Sequence, residues 1–170
     1  MLIDTHCHLD AAEFDADRET VAQAARQSNV SIIVVPAVER ANFGAVASVC
    51  REHPGCVAAY GIHPLYVAKA HEEDLQVLRD TVVREQPVAV GEIGLDRFVA
   101  ERDDTQQLHY FVEQLNLAKA ADLPVLLHVR RAIDQILQQL RRVKVCGGIA
   151  HAFNGSSQQA EEFIKLGFKL

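Results

Sequence analysis

Five separate segments of the chain place histidine or acidic side chains at the end of a short apolar run. These segments are Asp4–His8, Gly61–Pro64, Gly91–Asp96, the stretch ending in His128 and the stretch ending in His151. Neutral imidazole nitrogens and carboxylate oxygens are ligands that divalent metals accept in proteins. If the five segments meet at one place, the chemistry they offer is activation of water by bound metal.

The strongest local signals are a histidine pair and one acidic residue. His6 and His8 lie two residues apart, so an extended chain turns both rings to the same face, although such a pair also arises by accident in a chain with eight histidines. Glu92 follows the apolar run 88–90, and a buried carboxylate needs a partner because an unpaired buried charge is very costly. For His128 alone, a core histidine bonded to the backbone is the simpler interpretation. Taken together, the segments predict a metal site.

The remaining histidines and the cysteines fit structural interpretations. His53, His71 and His109 fall in a turn, at a helix start and on a helix, where we expect surface or structural roles. Cys7 lies between two candidate ligands and must point to the opposite face, into the packing. The four cysteines form no C-x-x-C pair, so we expect reduced thiols.

Short apolar runs alternate with stretches of helical periodicity along the whole chain. The predicted strands are Leu2–Asp4, Ser31–Val35, Val57–Gly61, Val88–Gly91, Val125–His128, Gly148–His151 and Phe168–Leu170. They are continuous apolar runs, as expected for parallel strands buried on both faces. The predicted helices are Asp15–Gln27, Asn42–Arg51, Glu72–Arg84, Asp104–Ala121, Ile133–Leu140 and Ser157–Leu166. In the fourth of these, Leu108, Phe111, Leu115 and Ala118 share a predicted buried face.

Repeated strand–helix units require right-handed crossovers and a parallel sheet. With no linker or break in composition, residues 1–170 are predicted to form one domain. An open doubly wound sheet and a TIM-type (β/α) barrel both satisfy this pattern. No glycine-rich phosphate loop follows the first strand, and the polar residues collect at the carboxyl ends of strands, where barrels place their active sites. The barrel is therefore favoured.

Composition and charge limit the class of protein. About half of the residues are apolar (49%) and the formal net charge is −6, which argues against broad electrostatic adhesion to nucleic acid or to an anionic membrane. A metal-assisted phosphodiesterase is still allowed, because it can hold phosphate locally through metal ions and a few arginines. There is no signal peptide pattern and no apolar run of about 18 residues, so we expect a cytoplasmic protein without a membrane span.

Five motifs in order resemble those of the TatD family of metal-dependent hydrolases. They are DTHCHLD, GIHP, VGEIGLD, PVLLHVRRA and HAFNGS, and the resemblance runs from Met1 to Leu170. It implies a TIM-type barrel with two divalent metal ions (Zn, Mn or Mg) and deoxyribonuclease activity. The implied substrate is DNA, attacked by an exonuclease on single strands or at 3′ ends.

The resemblance also implies roles for individual residues. His6 and His8 would bind one metal ion, Glu92 would bridge both ions, and His128 and His151 would bind the second.

Beside these ligands, His63 would contact the substrate or support the ligands. Arg130 is predicted to clamp phosphate because a guanidinium matches phosphate oxygens bidentately. With Glu92, these two residues form the predicted catalytic group. The neighbouring Arg131 fits equally well as a solvated charge at a helix start, and Asp96 as a residue that orients a ligand or caps the turn.

The family pattern continues with an Asp in a T-D-x-P segment, a further metal ligand and base, and a complete barrel usually needs about 250 residues. We therefore expect about six βα units and the start of a seventh strand, reduced activity, and self-association through open barrel edges. Two alternatives stay open. One is a metal-dependent amidohydrolase or phosphoesterase acting on a small molecule. The other is an inactive fragment that serves as an interaction module.

Overall fold

The computed structural model describes residues 1–170, which form seven parallel strands and six α-helices in strict alternation. The strands are β1 (Leu2–Asp4), β2 (Val30–Pro36), β3 (Cys56–Tyr60), β4 (Ala89–Asp96), β5 (Val125–Arg130), β6 (Gly148–His151) and β7 (Phe168–Lys169). The helices are α1 (Arg18–Gln27), α2 (Phe43–Glu52), α3 (Glu72–Glu85), α4 (Asp104–Ala120), α5 (Ile133–Arg142) and α6 (Ser157–Lys165). Short 3₁₀ turns occupy Ala12–Phe14, Arg40–Asn42 and Val67–Lys69.

The strands lie side by side in chain order, from β1 to β7. A doubly wound sheet reverses its order at a switch point, so that alternative is excluded. The order is that of a (β/α) barrel, here with six βα units followed by β7, and the predicted fold class is confirmed.

The sheet is strongly curved. The rings of His6, just after β1, and His151, at the end of β6, stack with centroids 3.8 Å apart. Four strands separate β1 from β6, so in a flat sheet these strands would lie roughly 24 Å apart. The curvature therefore brings the carboxyl ends of distant strands to one mouth.

The two faces of β5 show how the sequence builds this mouth. Val125, Leu127 and Val129 belong to the main core between the sheet and the helices. Leu126 faces the other way, into a smaller cluster inside the barrel with Val34, Ala59 and Ala89. Because side chains alternate along a strand, His128 follows Leu126 on the inner face, above this apolar floor.

The predicted and observed element ends differ mainly at β4 and α1. β4 continues beyond Gly91 to Asp96, and all eight of its residues are buried. Gly94 permits this extension, because a Cβ there would lie 2.1 Å from the carbonyl oxygen of His128 on β5. α1 begins at Arg18 rather than Asp15, since residues 15–17 form a turn that follows the 3₁₀ turn at Ala12–Phe14.

Ser156 caps α6 by accepting a hydrogen bond from the Gln159 amide, and Gly167 follows the helix with φ of +86°. None of the helices combines the length and apolarity needed to cross a membrane.

Candidate metal centre

His6, His8 and Glu92 converge on one point at the mouth of the barrel. The Nε2 atoms of His6 and His8 lie 3.1 Å apart. They lie 3.2 Å and 3.5 Å from Oε2 of Glu92. Two donor atoms bound to a tetrahedral zinc at 2.0–2.1 Å lie roughly 3.3 Å from each other. The three donor atoms therefore have the mutual spacing of ligands around one metal ion.

A second group shares the same carboxylate. Nδ1 of His128 lies 3.2 Å from Oε1 of Glu92, and Nε2 of His63 lies 3.8 Å from Oε2. His63, Glu92 and His128 offer donor atoms that all lie within 4.8 Å of one another. Oε2 of Glu92 thus faces His6, His8 and His63, whereas Oε1 faces His128, so the carboxylate could bridge two ions.

His151 is placed differently from the grouping that the resemblance implied. Its ring stacks on His6 at an interplanar angle of 10°, next to the first group. The place beside His128 and Glu92 is taken by His63, whose ring centroid lies 4.3 Å from that of His128. Ligation of an ion by His151 stays a prediction.

Burial and mutual charge set the protonation of these groups. Burial alone would raise the pKa of the Glu92 carboxyl, but hydrogen bonds from His128, His6 and His8 outweigh it and hold the pKa well below its usual range. Burial lowers the pKa of His63 to about 4. Glu92 is therefore a carboxylate at neutral pH, and His63 is a neutral imidazole. Nδ1 of His63 accepts a hydrogen bond from the amide of Leu65 at 3.1 Å, which leaves the proton on Nε2.

The same carboxylate has the opposite effect on two other histidines. Its hydrogen bond raises the pKa of His8 above the ordinary value. Burial lowers the pKa of His128, yet the nearby carboxylates of Glu92 and Asp96 outweigh it and the net pKa is raised. Burial lowers the pKa of His151. Without an ion, the carboxylates therefore favour the protonated forms of His8 and His128, and a cation competes with those protons.

Hydrogen bonds to the other ring nitrogens of the candidate ligands His128 and His8 orient these rings. Oδ2 of Asp96, which is fully buried, lies 2.9 Å from Nε2 of His128. Oδ1 of Asp96 accepts hydrogen bonds from the amides of Phe98 and Val99, so this residue both orients a histidine and caps the turn. Nδ1 of His8 lies 3.2 Å from the carbonyl oxygen of Pro36. With Nδ1 donating, Nε2 of His8 is left free to bind metal.

Two glutamines on α4 hold the segment before His63 and the end of β4 at Asp96. The sequence patterns did not predict either of these roles. Gln114 accepts from the amide of Ile62 at 2.6 Å and donates to its carbonyl at 3.0 Å. Gln107 accepts from the amide of Asp96 at 3.0 Å and donates to the carbonyl of Pro64 at 3.3 Å. The feature of the sequence that could have indicated them is two polar residues, seven positions apart, on the predicted buried face of the helix.

Arg130 lies outside the two ligand groups. Its Nη1 atom lies 3.9 Å from Oδ2 of Asp96, and its guanidinium lies over the ring of Phe98, 3.7 Å from the ring centroid. The predicted clamp is therefore next to the centre, and a contact with phosphate stays a prediction.

A cavity of about 650 Å³ opens beside His8 and His63. The other polar residues that line it are acidic or neutral, and none is lysine or arginine. They are Asp10, Glu13, Glu39, Asn42 and Tyr66. Asn42 donates to Oδ2 of Asp10, while Oδ1 of Asp10 is buried without a hydrogen-bond partner. The cavity offers space and hydrogen-bond acceptors next to the centre, and no positive charge.

Comparison with known proteins places these features in a family. The model of the family "TatD related DNase" matches residues 3–170. An uncharacterized metal-dependent hydrolase of Escherichia coli, YjjV, is 42% identical over 99% of this chain and 66% of its own length. The crystal structure of that TatD homologue superposes with a TM-score of 0.94. A protein of Pantoea named 3′-5′ ssDNA/RNA exonuclease TatD is 32% identical over 99% of the chain and 66% of its own length.

The chain thus spans about two thirds of the length of these relatives. The match covers every segment of the candidate centre, and the fold is shared with a solved barrel at high identity. The chain belongs to the TatD-related DNase family, among relatives that are named metal-dependent hydrolases.

Proposed function

We propose that this chain is a metal-dependent nuclease domain, formed by residues 1–170, that hydrolyses phosphodiester bonds of DNA as an exonuclease. The observation that carries the proposal is the buried Glu92 carboxylate, 2% exposed, with histidine nitrogens around it at metal-ligand spacing. An anion so deeply buried calls for cations. The name of the Pantoea relative, an ssDNA/RNA exonuclease, supports a nucleic acid as the substrate.

The donor set fits two divalent ions. Oε2 of Glu92 faces His6 and His8, and Oε1 faces His128, so the carboxylate could hold one ion on each oxygen. The second ion would take His128 with His151, or with His63 once Nδ1 of that ring releases the Leu65 amide. When bound, two such ions (Zn, Mn or Mg) would supply a water of lowered pKa and would neutralise charge on the phosphate oxygens.

Other residues of the chain hold the candidate ligands in place and orient them. Asp96 fixes the ring of His128 through Nε2, which leaves Nδ1 facing Glu92. Gln114 holds the backbone of Ile62, next to His63. Arg130, at the end of β5, offers a planar pair of donors to a phosphate held at the centre.

One observation favours a second candidate function, the hydrolysis of a small molecule. The cavity beside His8 and His63 is lined by Asp10, Glu13 and Glu39 and by no basic residue, which suits an uncharged or cationic group. The metal centre itself specifies water activation and leaves the substrate open.

Digestion of 3′-end-labelled single-stranded DNA and RNA by the purified chain tests the proposal. We expect stepwise loss of nucleotides with Mn²⁺ or Mg²⁺, no loss with chelator, and none with Glu92→Gln. A matched control, Glu113→Gln, changes a carboxylate on α4 that pairs with Arg79 at 3.0 Å and should digest normally. Failure to digest either polymer, in protein shown to bind metal, would contradict the nuclease and favour the small-molecule hydrolase.

A further inference from the structure

An exposed aromatic ring lies beside the candidate centre with two arginines over it. Phe98, in the segment after β4, is 48% exposed. The guanidinium carbons of Arg130 and Arg131 lie 3.7 Å and 4.6 Å from its ring centroid. We call Phe98, Arg130 and Arg131 the arginine platform.

The positive charge of the arginine platform is largely uncompensated. Arg131 has no carboxylate within 4.0 Å, and Arg130 has only Asp96 at 3.9 Å. That carboxylate is already engaged by His128 at 2.9 Å. By contrast, the nearby Arg97 and Arg102 both pair with Asp104, at 2.9 Å and 2.7 Å. Within a chain of net charge −6, the platform is thus a local site for an anion.

The arginine platform is also close to the centre. Arg130 follows the candidate ligand His128 by two residues on β5, which corresponds to roughly 7 Å along the strand. In the sheet register, Arg130 pairs with Asp96 and His128 pairs with Gly94. The platform therefore lies within reach of a group covalently joined to one held at the centre.

On the other side of the centre, the large cavity has acidic walls and no lysine or arginine. A polyanion that leaves the centre is repelled on that side and attracted across the ends of β4 and β5. The charge distribution thus selects one exit path for an extended phosphate chain.

We propose that the arginine platform binds the nucleotide adjacent to the scissile one in a single-stranded nucleic acid, an inference that rests on the proposed function. Aromatic rings stack with bases of any sequence, and guanidinium groups bind phosphate oxygens in a bidentate manner. The guanidinium groups leave about half of Phe98 exposed, and a base can pack against that part of the ring only when the base is unpaired, so the platform favours single strands. It makes the preferred substrate a polymer rather than a mononucleotide.

Fluorescence anisotropy of a 5′-labelled (dT)₁₂ oligonucleotide tests this in the presence of chelator, so that no metal contributes and no cleavage occurs. We expect Phe98→Ala to weaken binding by about tenfold or more, whereas Phe98→Tyr keeps the ring and stays within about twofold of the parent. Arg131→Gln should reduce the slope of log Kd against log salt by about 0.7. A duplex of the same length should compete less well than the single strand.

Arg51→Gln is the matched control. Arg51 is exposed and lies in the last turn of α2, at the end of the barrel opposite to the candidate centre. Circular dichroism and thermal melting establish that each variant is folded. Three results would each overturn the proposed role of the platform. They are binding at the parent's affinity by both Phe98→Ala and Arg131→Gln, equal competition by the duplex, and no binding of the oligonucleotide by the parent.

Cleavage with Mn²⁺ separates this inference from the proposed function. If the parent cleaves the oligonucleotide while the variants bind it normally, the platform is wrong and the nuclease stands. If the parent binds through Phe98 and Arg131 but cleaves nothing with metal, the platform stands and the nuclease is wrong.

Discussion

The Nε2 atoms of His6 and His8 point at each other across 3.1 Å, and both face the same oxygen of Glu92. Two neutral imidazole lone pairs at that distance repel unless a proton or a cation lies between them. The local fold of β1 and its following turn therefore holds the donors in place before any ion arrives, and the cost of assembling the site is met by folding of the barrel.

Metal should stabilise the fold, because an ion that binds only the folded state adds RT ln(1 + [L]/Kd) to the free energy of unfolding. At a hundredfold excess over Kd this is about 2.7 kcal/mol. For a chain of this size we expect an increase in Tm of roughly 5–10 °C with Zn²⁺ or Mn²⁺ over chelator, measured by differential scanning fluorimetry.

Two histidine substitutions, one in the candidate centre and one matched control outside it, test the origin of that shift. His6→Ala should abolish most of the increase. His109→Gln, on α4 where the ring contacts Glu72 on the surface, should leave it intact. Equal shifts in all three proteins would show that the metal acts elsewhere.

Asp96→Asn should weaken metal binding by about 10–100-fold while leaving the fold intact. The asparagine can keep the amide caps of Phe98 and Val99 through its oxygen, but its NH₂ group then faces Nε2 of His128. Nε2 must become the acceptor, which moves the proton to Nδ1, the atom that faces Glu92. Isothermal titration calorimetry measures the change, with Asp80→Asn on the exposed face of α3 as the control. An unchanged affinity would mean that Asp96 only caps the turn.

Metal affinity should fall as pH is lowered. The raised pKa values of His8 and His128 mean that each ring is protonated at a higher pH than a free histidine, while Glu92, with its lowered pKa, stays ionised. Protons then compete with metal for both rings as the pH falls, and we expect at least about a tenfold loss of affinity from pH 8 to pH 6. Calorimetry in two buffers of different ionisation enthalpy should show proton release on binding at pH 7. Zero release at every pH from 8 to 6 would contradict this competition between protons and metal.

Gln114→Ala should destabilise the chain by about 2–4 kcal/mol, since it leaves the buried amide and carbonyl of Ile62 without partners. The exposed Asn116, two residues along the same helix, gives the control Asn116→Ala, which should be neutral within about 0.5 kcal/mol. Urea unfolding measures both. If the two variants unfold alike, water replaces the glutamine and the loop before His63 is held by other contacts.

The sequence predicts the strands well because parallel strands buried on both faces are continuous apolar runs. All seven predicted strands occur, and the end of β6 at His151 is unchanged. The convergence of His6, His8 and Glu92 follows from the same rule, since the carboxyl ends of parallel strands meet at one edge. Only the alternation of side chains and the order of strands are needed for that part of the site.

Other features depend on curvature and packing that a linear pattern does not contain. The proximity of His63 to His128, and of His151 to His6, follows from the closing curve of the sheet. Leu108, expected in the buried face of α4, is 37% exposed, while Gln114 is fully buried, because backbone groups at the end of β3 need partners there.

The central claim is that Glu92 binds metal through both oxygens. Crystals grown with Zn²⁺ and measured at the zinc absorption edge test it directly. We predict anomalous peaks within bonding distance of both carboxylate oxygens of Glu92, with His6 and His8 around one of them. Crystals soaked with Zn²⁺ that show no anomalous density at Glu92, or density only at surface histidines such as His109, would contradict it.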